Sequence, residues 1–257
     1  MKNHFFISYF GNKRREVEKI YKNINLDGIK TIIEPFCGSS SISYYINKEN
    51  PDKYNYILND IDKNLMIVYN KIKNNTFNEF INKINNMCFN EKGDFIDKTT
   101  YLRYVKQNNS IEGWFIARKF YCIRHGLYPL RDKKKVNPIN YTNDLRDFID
   151  FIKKDNVILK SDCALNIIEK YKDDETTMII IDPPYIDLDN CYYESGGMSG
   201  GNIYEYLYNN NNFKCKFVAI LNKNWINSII FKNFKLIEYE KKYETTKKKY
   251  IHCIYTN

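Results

Sequence analysis

Four consecutive residues, Asp182, Pro183, Pro184 and Tyr185, carry groups suited to holding a planar ring that bears an amino substituent. A proline holds φ at about −65° and lacks a backbone donor, which leaves a carbonyl free to accept a hydrogen bond. The carboxylate and that carbonyl could accept both hydrogens of one NH2 group, and the tyrosine ring could stack on a nucleobase for about 1–3 kcal/mol. The alternative is a structural turn, because Asp-Pro commonly starts turns.

A second segment, Glu34 to Ser41, follows an apolar run and is rich in small residues. Asp60 lies 22 positions beyond Gly38. Small residues let the chain turn tightly where ligands bind in open parallel sheets, outside the carboxyl ends of the strands, and we expect a helix to begin near Ser41. An acidic side chain after the second strand can accept hydrogen bonds from both ribose hydroxyls, so the pattern predicts an adenosine-containing cofactor. NAD is disfavoured because the turn has one glycine where the dinucleotide pattern needs three. A Walker loop is disfavoured because no Gly-Lys-Ser or Gly-Lys-Thr follows.

Two further segments, each containing glycine, could contribute to a binding site. The N-terminal segment Tyr9 to Lys13 offers a glycine turn and a cation that could hold a carboxylate, and the alternative is a surface lysine. The segment Gly196 to Gly201 contains four glycines in six residues. It predicts either a mobile lid or an ordinary loop, since glycine gives the backbone unusual freedom.

Composition limits the class of protein. With 257 residues and 43% apolar content, the chain can bury a globular core. A net charge of +9 and a pI near 9.0 favour a polyanionic partner such as nucleic acid, although the lysines could also be solvated surface residues. Seven scattered cysteines and three histidines predict no disulfide framework, no metal site and no histidine base. No apolar run approaches about 18 residues and no secretory signal is present, so we expect an intracellular, cytoplasmic protein without membrane contact.

Apolar segments separated by helical stretches predict a mostly parallel α/β sheet of seven strands with helices on both faces. The last two segments are separated only by Lys241 to Lys249, which predicts an antiparallel C-terminal hairpin. The interval 70–155 has helical apolar spacing and is too long for one crossover connection. We therefore expect a catalytic domain of residues 1–69 and 156–257 with an inserted, mainly helical subdomain. The predicted strands begin at Thr31, Tyr56, Val157, Met178, Phe217, Phe234 and Tyr250.

The order of these motifs resembles that of the Dam-type, adenine-specific DNA methyltransferases over most of the chain. Gly11 and Lys13 match the opening Gly-x-Lys turn of that family, and Asp-Pro-Pro-Tyr falls on residues 182–185. The Pro-Phe-x-Gly-x-Gly turn matches from Pro35 onward, but Ser40 stands in place of the second glycine. Near the C-terminus, the family's short strand ending in asparagine maps onto Asn222, and His252 stands where an acid is common.

The resemblance implies a Rossmann-like class I methyltransferase sheet, S-adenosylmethionine as cofactor, S-adenosylhomocysteine as product, and no metal. It assigns catalysis to Asp182, Pro183, Pro184 and Tyr185. It assigns cofactor binding to Tyr9, Gly11, Asn12, Lys13, Glu34, Pro35, Phe36, Gly38, Ser39, Ser40, Asp60, Ile61, Asp162, Cys163 and Asp182. The inserted subdomain resembles the target-recognition region at residues 120–128 and departs from it at residues 131–138. We expect DNA contacts from Arg118, Arg124, His125, Tyr128, Arg131, Lys133, Lys134, Lys135 and Asn137.

The function implied by the resemblance is methyl transfer to the exocyclic amine of an adenine flipped out of double-stranded DNA, at a specific site. Cytosine N4, RNA adenine and a glutamine amide also present a planar NH2 group, so the tetrapeptide alone leaves these acceptors open. A further alternative is a catalytically silent nucleic-acid-binding module, which Ser40 supports. Monomer and homodimer are both compatible with the sequence.

Overall fold

The computed structural model describes residues 12–92, 110–116, 118–119, 138–141, 143–184, 200–210, 212–242 and 249–257. The chain divides into two compact units. One comprises Lys13–Asp62 and Asn156–Asn257 and contains the sheet, and the other comprises Asn12 and Lys63–Asp155 and is helical. No helix among the described residues is long and apolar enough to cross a membrane.

Seven strands in the described part of the chain form one sheet, in the order β3-β2-β1-β4-β5-β7-β6. The first five strands along the chain pair in parallel, and β7 is antiparallel to both β5 and β6. The predicted mostly parallel sheet with an antiparallel C-terminal hairpin is therefore confirmed. The strands are β1 Thr31–Glu34, β2 Asn55–Asn59, β3 Val157–Lys160, β4 Thr177–Ile181, β5 Lys216–Asn222, β6 Lys235–Lys242 and β7 Lys249–Thr256.

The position of each strand in the sheet explains its residue pattern. Strand β4 lies between β1 and β5 and is buried at all five positions, as expected for a central parallel strand covered on both faces. Strand β3 forms one edge of the sheet, and its Ile158 is 49% exposed. The other edge, β6, is longer than predicted because pairing with β7 continues through Lys242.

The sheet-containing unit has five described helices: α1 Val17–Tyr21, α2 Ser41–Glu49, α7 Ala164–Tyr171, α8 Gly200–Asn209 and α9 Trp225–Ile230. Helix α2 begins at Ser41, as predicted. Helix α8 begins at Gly200. The prediction of a loop over Gly196 to Gly201 is therefore wrong for its last two residues, which lie in the first turn of this helix. Residues 185–199 lie outside the described residues, and the predicted lid stays a prediction.

The helical unit contains α3 Lys63–Lys73, α4 Phe77–Cys88, α5 Ile111–Ile116 and α6 Asn143–Lys153. Helix α3 contacts the other three helices. Aromatic residues fill the core of this unit, with the Phe80 and Phe115 rings edge to face at 5.2 Å between centroids. The apolar residues of α4 that recur at helical spacing from Phe77 onward form its buried face.

Candidate active site

The carboxyl ends of β1, β2, β3 and β4 meet at one edge of the sheet because these strands are parallel neighbours. The turn after β1 begins at Glu34, Asp60 follows β2, Asp162 follows β3 and Asp182 follows β4. The structure therefore brings together four acidic residues that the sequence placed in one site. Open parallel sheets bind ligands at this edge.

The turn after β1 is held by the acid that follows β2. Gly38 has φ 46°, in the left-handed region that favours glycine, and its backbone N–H donates to Asp60 Oδ2 at 2.9 Å. Asp60 Oδ1 accepts from the backbone N–H of Asp62 at 3.0 Å. The side chain predicted to bind ribose is thus largely buried and already orients two turns.

Ser40 occupies the position where the Pro-Phe-x-Gly-x-Gly turn has its second glycine. Its φ of 48° and ψ of 31° are left-handed, and the residue is fully buried. Its backbone N–H donates to Cys37 O at 2.6 Å, and its side chain also hydrogen-bonds Cys37. Burial raises the pKa of the Cys37 thiol well above its usual range. The chain therefore keeps the glycine conformation of the turn with a serine.

Asn59, the last residue of β2, links three strand ends, and sequence reasoning gave it no role. Its side-chain amide donates to Pro35 O and to Asp162 O, both at 3.0 Å. Its Oδ1 accepts from the backbone N–H of Asp162 at 2.8 Å. The available signal was a polar residue ending a buried strand next to Asp60. We call these bonds of Asn59 and Asp60 to backbone groups the turn network.

Asp182 contacts a lysine 169 positions earlier in the chain. Lys13 Nζ lies 2.5 Å from Asp182 Oδ2, with the two side chains 3% and 19% exposed. The surface-lysine interpretation of Lys13 is wrong, since the side chain is buried. Lys13 holds the carboxylate of Asp182. Pro183 is buried beside it, and Pro184 O accepts from the hydroxyl of Tyr204 in α8 at 3.4 Å.

Glu34, at the end of β1, is a buried carboxyl group near this ion pair. Its Oε1 accepts from the backbone N–H of Ser43 in α2 at 2.8 Å. Burial raises the pKa of Glu34 to about 7, and the charge of Asp182 adds to the increase. The Ser43 bonds and the Lys13 charge oppose it without cancelling it.

Glu16 is a second buried carboxyl group, which sequence reasoning missed. Its Oε2 accepts from the Tyr239 hydroxyl at 2.7 Å and lies 2.9 Å from His252 Nδ1, and its Oε1 forms an ion pair with Lys241. Burial alone would raise the pKa of Glu16, but the His252 bond and the charges of Lys13 and Lys241 lower it to about 2. We call Lys13, Glu16, Tyr239, Lys241, His252 and Asp182 the charge cluster.

The remaining predicted residues fall into two groups. Asn12, Phe36, Ile61 and Cys163 are half-buried, Ser39 is buried, and Cys163 precedes α7 as its N-cap. Arg118 belongs to the helical unit, where its guanidinium lies 5.3 Å from the Trp114 ring centroid. The other predicted residues lie outside the described ones: Tyr9, Gly11, Arg124, His125, Tyr128, Arg131, Lys133, Lys134, Lys135, Asn137 and Tyr185. Among the described residues, no group of three or more His, Cys, Asp or Glu side chains could hold a metal ion.

The model of the D12 class N6 adenine-specific DNA methyltransferase family matches residues 9–245 of the chain. The chain belongs to this family. Members are S-adenosylmethionine-dependent enzymes that act on DNA, so the implied activity, acceptor and cofactor class of this D12 class methyltransferase are confirmed at the level of the family. The match spans both the sheet-containing and the helical unit.

Two further comparisons add context to this D12 class methyltransferase. No curated protein matches the chain. Among solved structures, the N-terminal domain of human METTL16 in complex with SAH is similar, with 8% sequence identity and a TM-score of 0.35. That similarity covers 94% of this chain and 67% of the other. The family assignment rests on the family match.

Proposed function

We propose that this chain methylates the N6 amine of an adenine flipped out of double-stranded DNA, with Asp182 and the Pro183 carbonyl holding the amine. The observation that carries the proposal is the Lys13–Asp182 pair at the carboxyl end of β4, beside the turn network. A buried ammonium on Oδ2 fixes the orientation of the carboxylate. A carboxylate has about four acceptor positions, so it can accept from an amine as well as from Lys13.

The role of Asp182 follows from the chemistry of adenine. The lone pair of the exocyclic amine is delocalised into the ring, which makes that nitrogen a poor nucleophile. Two acceptors on one NH2 group favour a pyramidal nitrogen and expose the lone pair for in-line attack. Catalysis then consists of positioning and local electrostatics, for which a fixed carboxylate is well suited. S-adenosylmethionine, when bound, would supply the methyl group and leave as S-adenosylhomocysteine, and the methylated amine would then lose a proton.

The residues after β1, β2 and β3 fit an adenosine-bearing cofactor. Gly38 has no side chain to block an approach to the backbone, and the Asp60 bond fixes its turn. Asp60 supplies a carboxylate for hydroxyl groups, and the exposed Asp162 supplies another at the same edge. We propose these three residues as the centre of the cofactor site, with the other predicted cofactor residues around them.

Recognition of the target requires further parts of the chain. Flipping a base out of a duplex costs a few kcal/mol, and stacking on Tyr185 would return about 1–3 kcal/mol. We propose that residues 70–155 form a target-recognition subdomain inserted into a catalytic domain of residues 1–69 and 156–257. The predicted basic residues between Arg118 and Asn137 would supply its DNA contacts, consistent with the net charge of +9.

The proposal is tested by incubating the purified protein and tritiated S-adenosylmethionine with mixed-sequence duplex DNA, single-stranded DNA and RNA. Digested products are then separated as nucleosides. We expect N6-methyladenine in the duplex DNA. Label confined to RNA, or found as N4-methylcytosine, would contradict the proposed acceptor.

The role of Asp182 is tested with Asp182→Asn. We expect transfer to fall by about 100-fold or more, because an amide replaces the charged acceptor, while calorimetry shows S-adenosylmethionine affinity within a few-fold of wild type. Asp173→Asn is the matched control, since Asp173 forms an exposed ion pair with Lys214. A loss of cofactor binding as large as the loss of activity would instead make Asp182 a structural residue.

A further inference from the structure

We propose that Glu16 is a positioning residue for methyl transfer, which holds Lys13 against Asp182 from the β6–β7 hairpin. This inference rests on the proposed function, because it concerns how Asp182 is held for its role. Glu16 itself is not among the predicted catalytic or cofactor-binding residues. It acts through Lys13, with Tyr239, Lys241 and His252 as its anchors.

The backbone links Glu16 directly to Lys13. The Glu16 N–H donates to Lys13 O at 2.7 Å, and the Val17 N–H donates to the same oxygen at 2.9 Å. These bonds form the turn that precedes α1, and Val17 and Ile20 of α1 are buried. Any contact that fixes the Glu16 side chain therefore also fixes the turn from which the Lys13 side chain extends.

The Glu16 side chain is attached to a rigid part of the sheet. Two of the residues in contact with it, Tyr239 in β6 and His252 in β7, are register neighbours, and their ring centroids are 5.7 Å apart. Strand β7 pairs with β5, and β5 pairs with β4, which ends just before Asp182. The anchors of Glu16 and the carboxylate held by Lys13 thus belong to one continuous sheet.

The charges of the cluster alternate and balance. Asp182 and Glu16 are the anions, Lys13 and Lys241 the cations, and each anion is in contact with one of the cations. The Lys13 charge helps to lower the pKa of Glu16, so these two groups interact as well. Burial lowers the pKa of His252 despite its contact with Glu16, which favours the neutral ring. Without Glu16, Lys13 and Lys241 would lose one of the two anions of the cluster.

This balance explains why charge as well as shape matters at position 16. Lys13 is 3% exposed and the Glu16 side chain 7%, so water screens their interaction little. Removing one partner from a buried group of charges leaves the others uncompensated. Lys13 and Lys241 would then repel one another, and the Asp182 carboxylate would be shared between them. A displaced carboxylate holds the acceptor amine out of line with the methyl donor.

The test uses Glu16→Gln, Lys241→Met and the double variant, which restores charge balance. The control is Glu240→Gln, because Glu240 forms an exposed ion pair with Lys249 on the same hairpin. In single-turnover assays with duplex DNA, we expect Glu16→Gln to lower the transfer rate by about 10-fold or more, with S-adenosylmethionine affinity changed less than about 3-fold. The double variant recovers at least half of that loss on a logarithmic scale, and the control stays within about 2-fold of wild type. Equal rates for Glu16→Gln and the control, or no recovery in the double variant, would overturn the proposal.

A second measurement separates this inference from the proposed function. If the wild-type protein transfers no methyl group to any nucleic acid, the proposed function fails. The coupling of Glu16 to Asp182 is then read from melting temperatures of Glu16→Gln, Asp182→Asn and the double variant, which need no substrate. We expect the double variant to melt clearly below the temperature that adding the two single shifts predicts, because it removes both anions of the charge cluster and leaves the charges of Lys13 and Lys241 uncompensated within it. Additive shifts would overturn the inference.

Discussion

The turn network and the charge cluster support neighbouring parts of the candidate site with different kinds of bond. In the turn network, the side chains of Asn59 and Asp60 bond to backbone groups of the turns after β1, β2 and β3. In the charge cluster, side chains bond to side chains, and each of two carboxylates is held by a lysine. The first arrangement fixes the path of the main chain, and the second fixes the orientation and charge of functional groups.

Burial alone does not set the pKa of a carboxyl group in this protein. Glu16 and Glu34 are both buried, yet the pKa of Glu16 falls to about 2 and that of Glu34 rises to about 7. Glu16 has a phenol, an imidazole and an ammonium group as partners. The hydrogen bonds of Glu34 come from Ser43, and Asp182 adds a like charge. The number and charge of partners decide between the two outcomes.

Among the changes that test the contrast between the turn network and the charge cluster, Asn59→Ala is expected to have the largest effect on stability. The change removes three hydrogen bonds to backbone groups of Pro35 and Asp162, so we expect a loss of about 3 kcal/mol in the free energy of unfolding. S-adenosylmethionine affinity should also fall, since the turns carrying Gly38 and Asp162 lose their link. Urea unfolding and calorimetric titration measure the two effects.

The matched control for this change is Asn156→Ala, which removes one side-chain bond, to Tyr54 O, at the opposite ends of β2 and β3. It should cost about 1 kcal/mol and leave cofactor affinity unchanged. The loss in Asn59→Ala should be the same at pH 5 and pH 8, because an amide does not titrate in that range. A strong pH dependence would show that the turn network depends on charge after all.

Glu34→Gln is expected to change stability by a similar amount in the opposite direction, by making the protein more stable than wild type as the pH rises through 7. The folded protein keeps the Glu34 proton up to about pH 7, whereas the unfolded chain releases it near pH 4.5. The contribution of Glu34 is therefore fully present below pH 4.5 and is lost as the pH rises through 7, by on the order of 3 kcal/mol.

Glutamine does not titrate, so the stability of Glu34→Gln relative to wild type should increase between pH 4 and pH 8. Urea unfolding of both proteins at intervals of one pH unit measures this difference. Glu240→Gln, at an exposed position, should show little change relative to wild type over the same range. A flat difference for Glu34→Gln would mean that Glu34 ionises normally and that the contrast with Glu16 is absent.

The smallest effect is expected at Ser40, where the backbone is left-handed. Ser40→Gly and Ser40→Ala both remove the hydroxyl that bonds Cys37, but only glycine relieves the strain. We expect Ser40→Gly to be more stable than Ser40→Ala by about 1 kcal/mol, as measured by thermal unfolding. Equal stabilities would show that the turn relaxes around a side chain.

Much of the fold could be predicted from local patterns. The buried run at residues 178–181 is the core of β4, and the small residues before Ser41 lead into α2 as predicted. Errors occurred where local composition and tertiary pairing disagree. Gly200 and Gly201 suggest a loop but begin α8, and β6 extends beyond its apolar residues because β7 provides hydrogen-bonding partners through Lys242.

Local sequence patterns are enough to specify the order of the strands along the chain, the turn after β1 and the acidic residues at the strand ends. These features depend on periodicity and on the conformations that each residue type allows, which are local properties. The contact of Lys13 with Asp182, and those of Glu16 with Tyr239, Lys241 and His252, depend on the tertiary structure. Such pairs join segments up to 236 positions apart, between Glu16 and His252. Which charges meet, and how their pKa values shift, depends on how distant elements pack, and no local pattern encodes that.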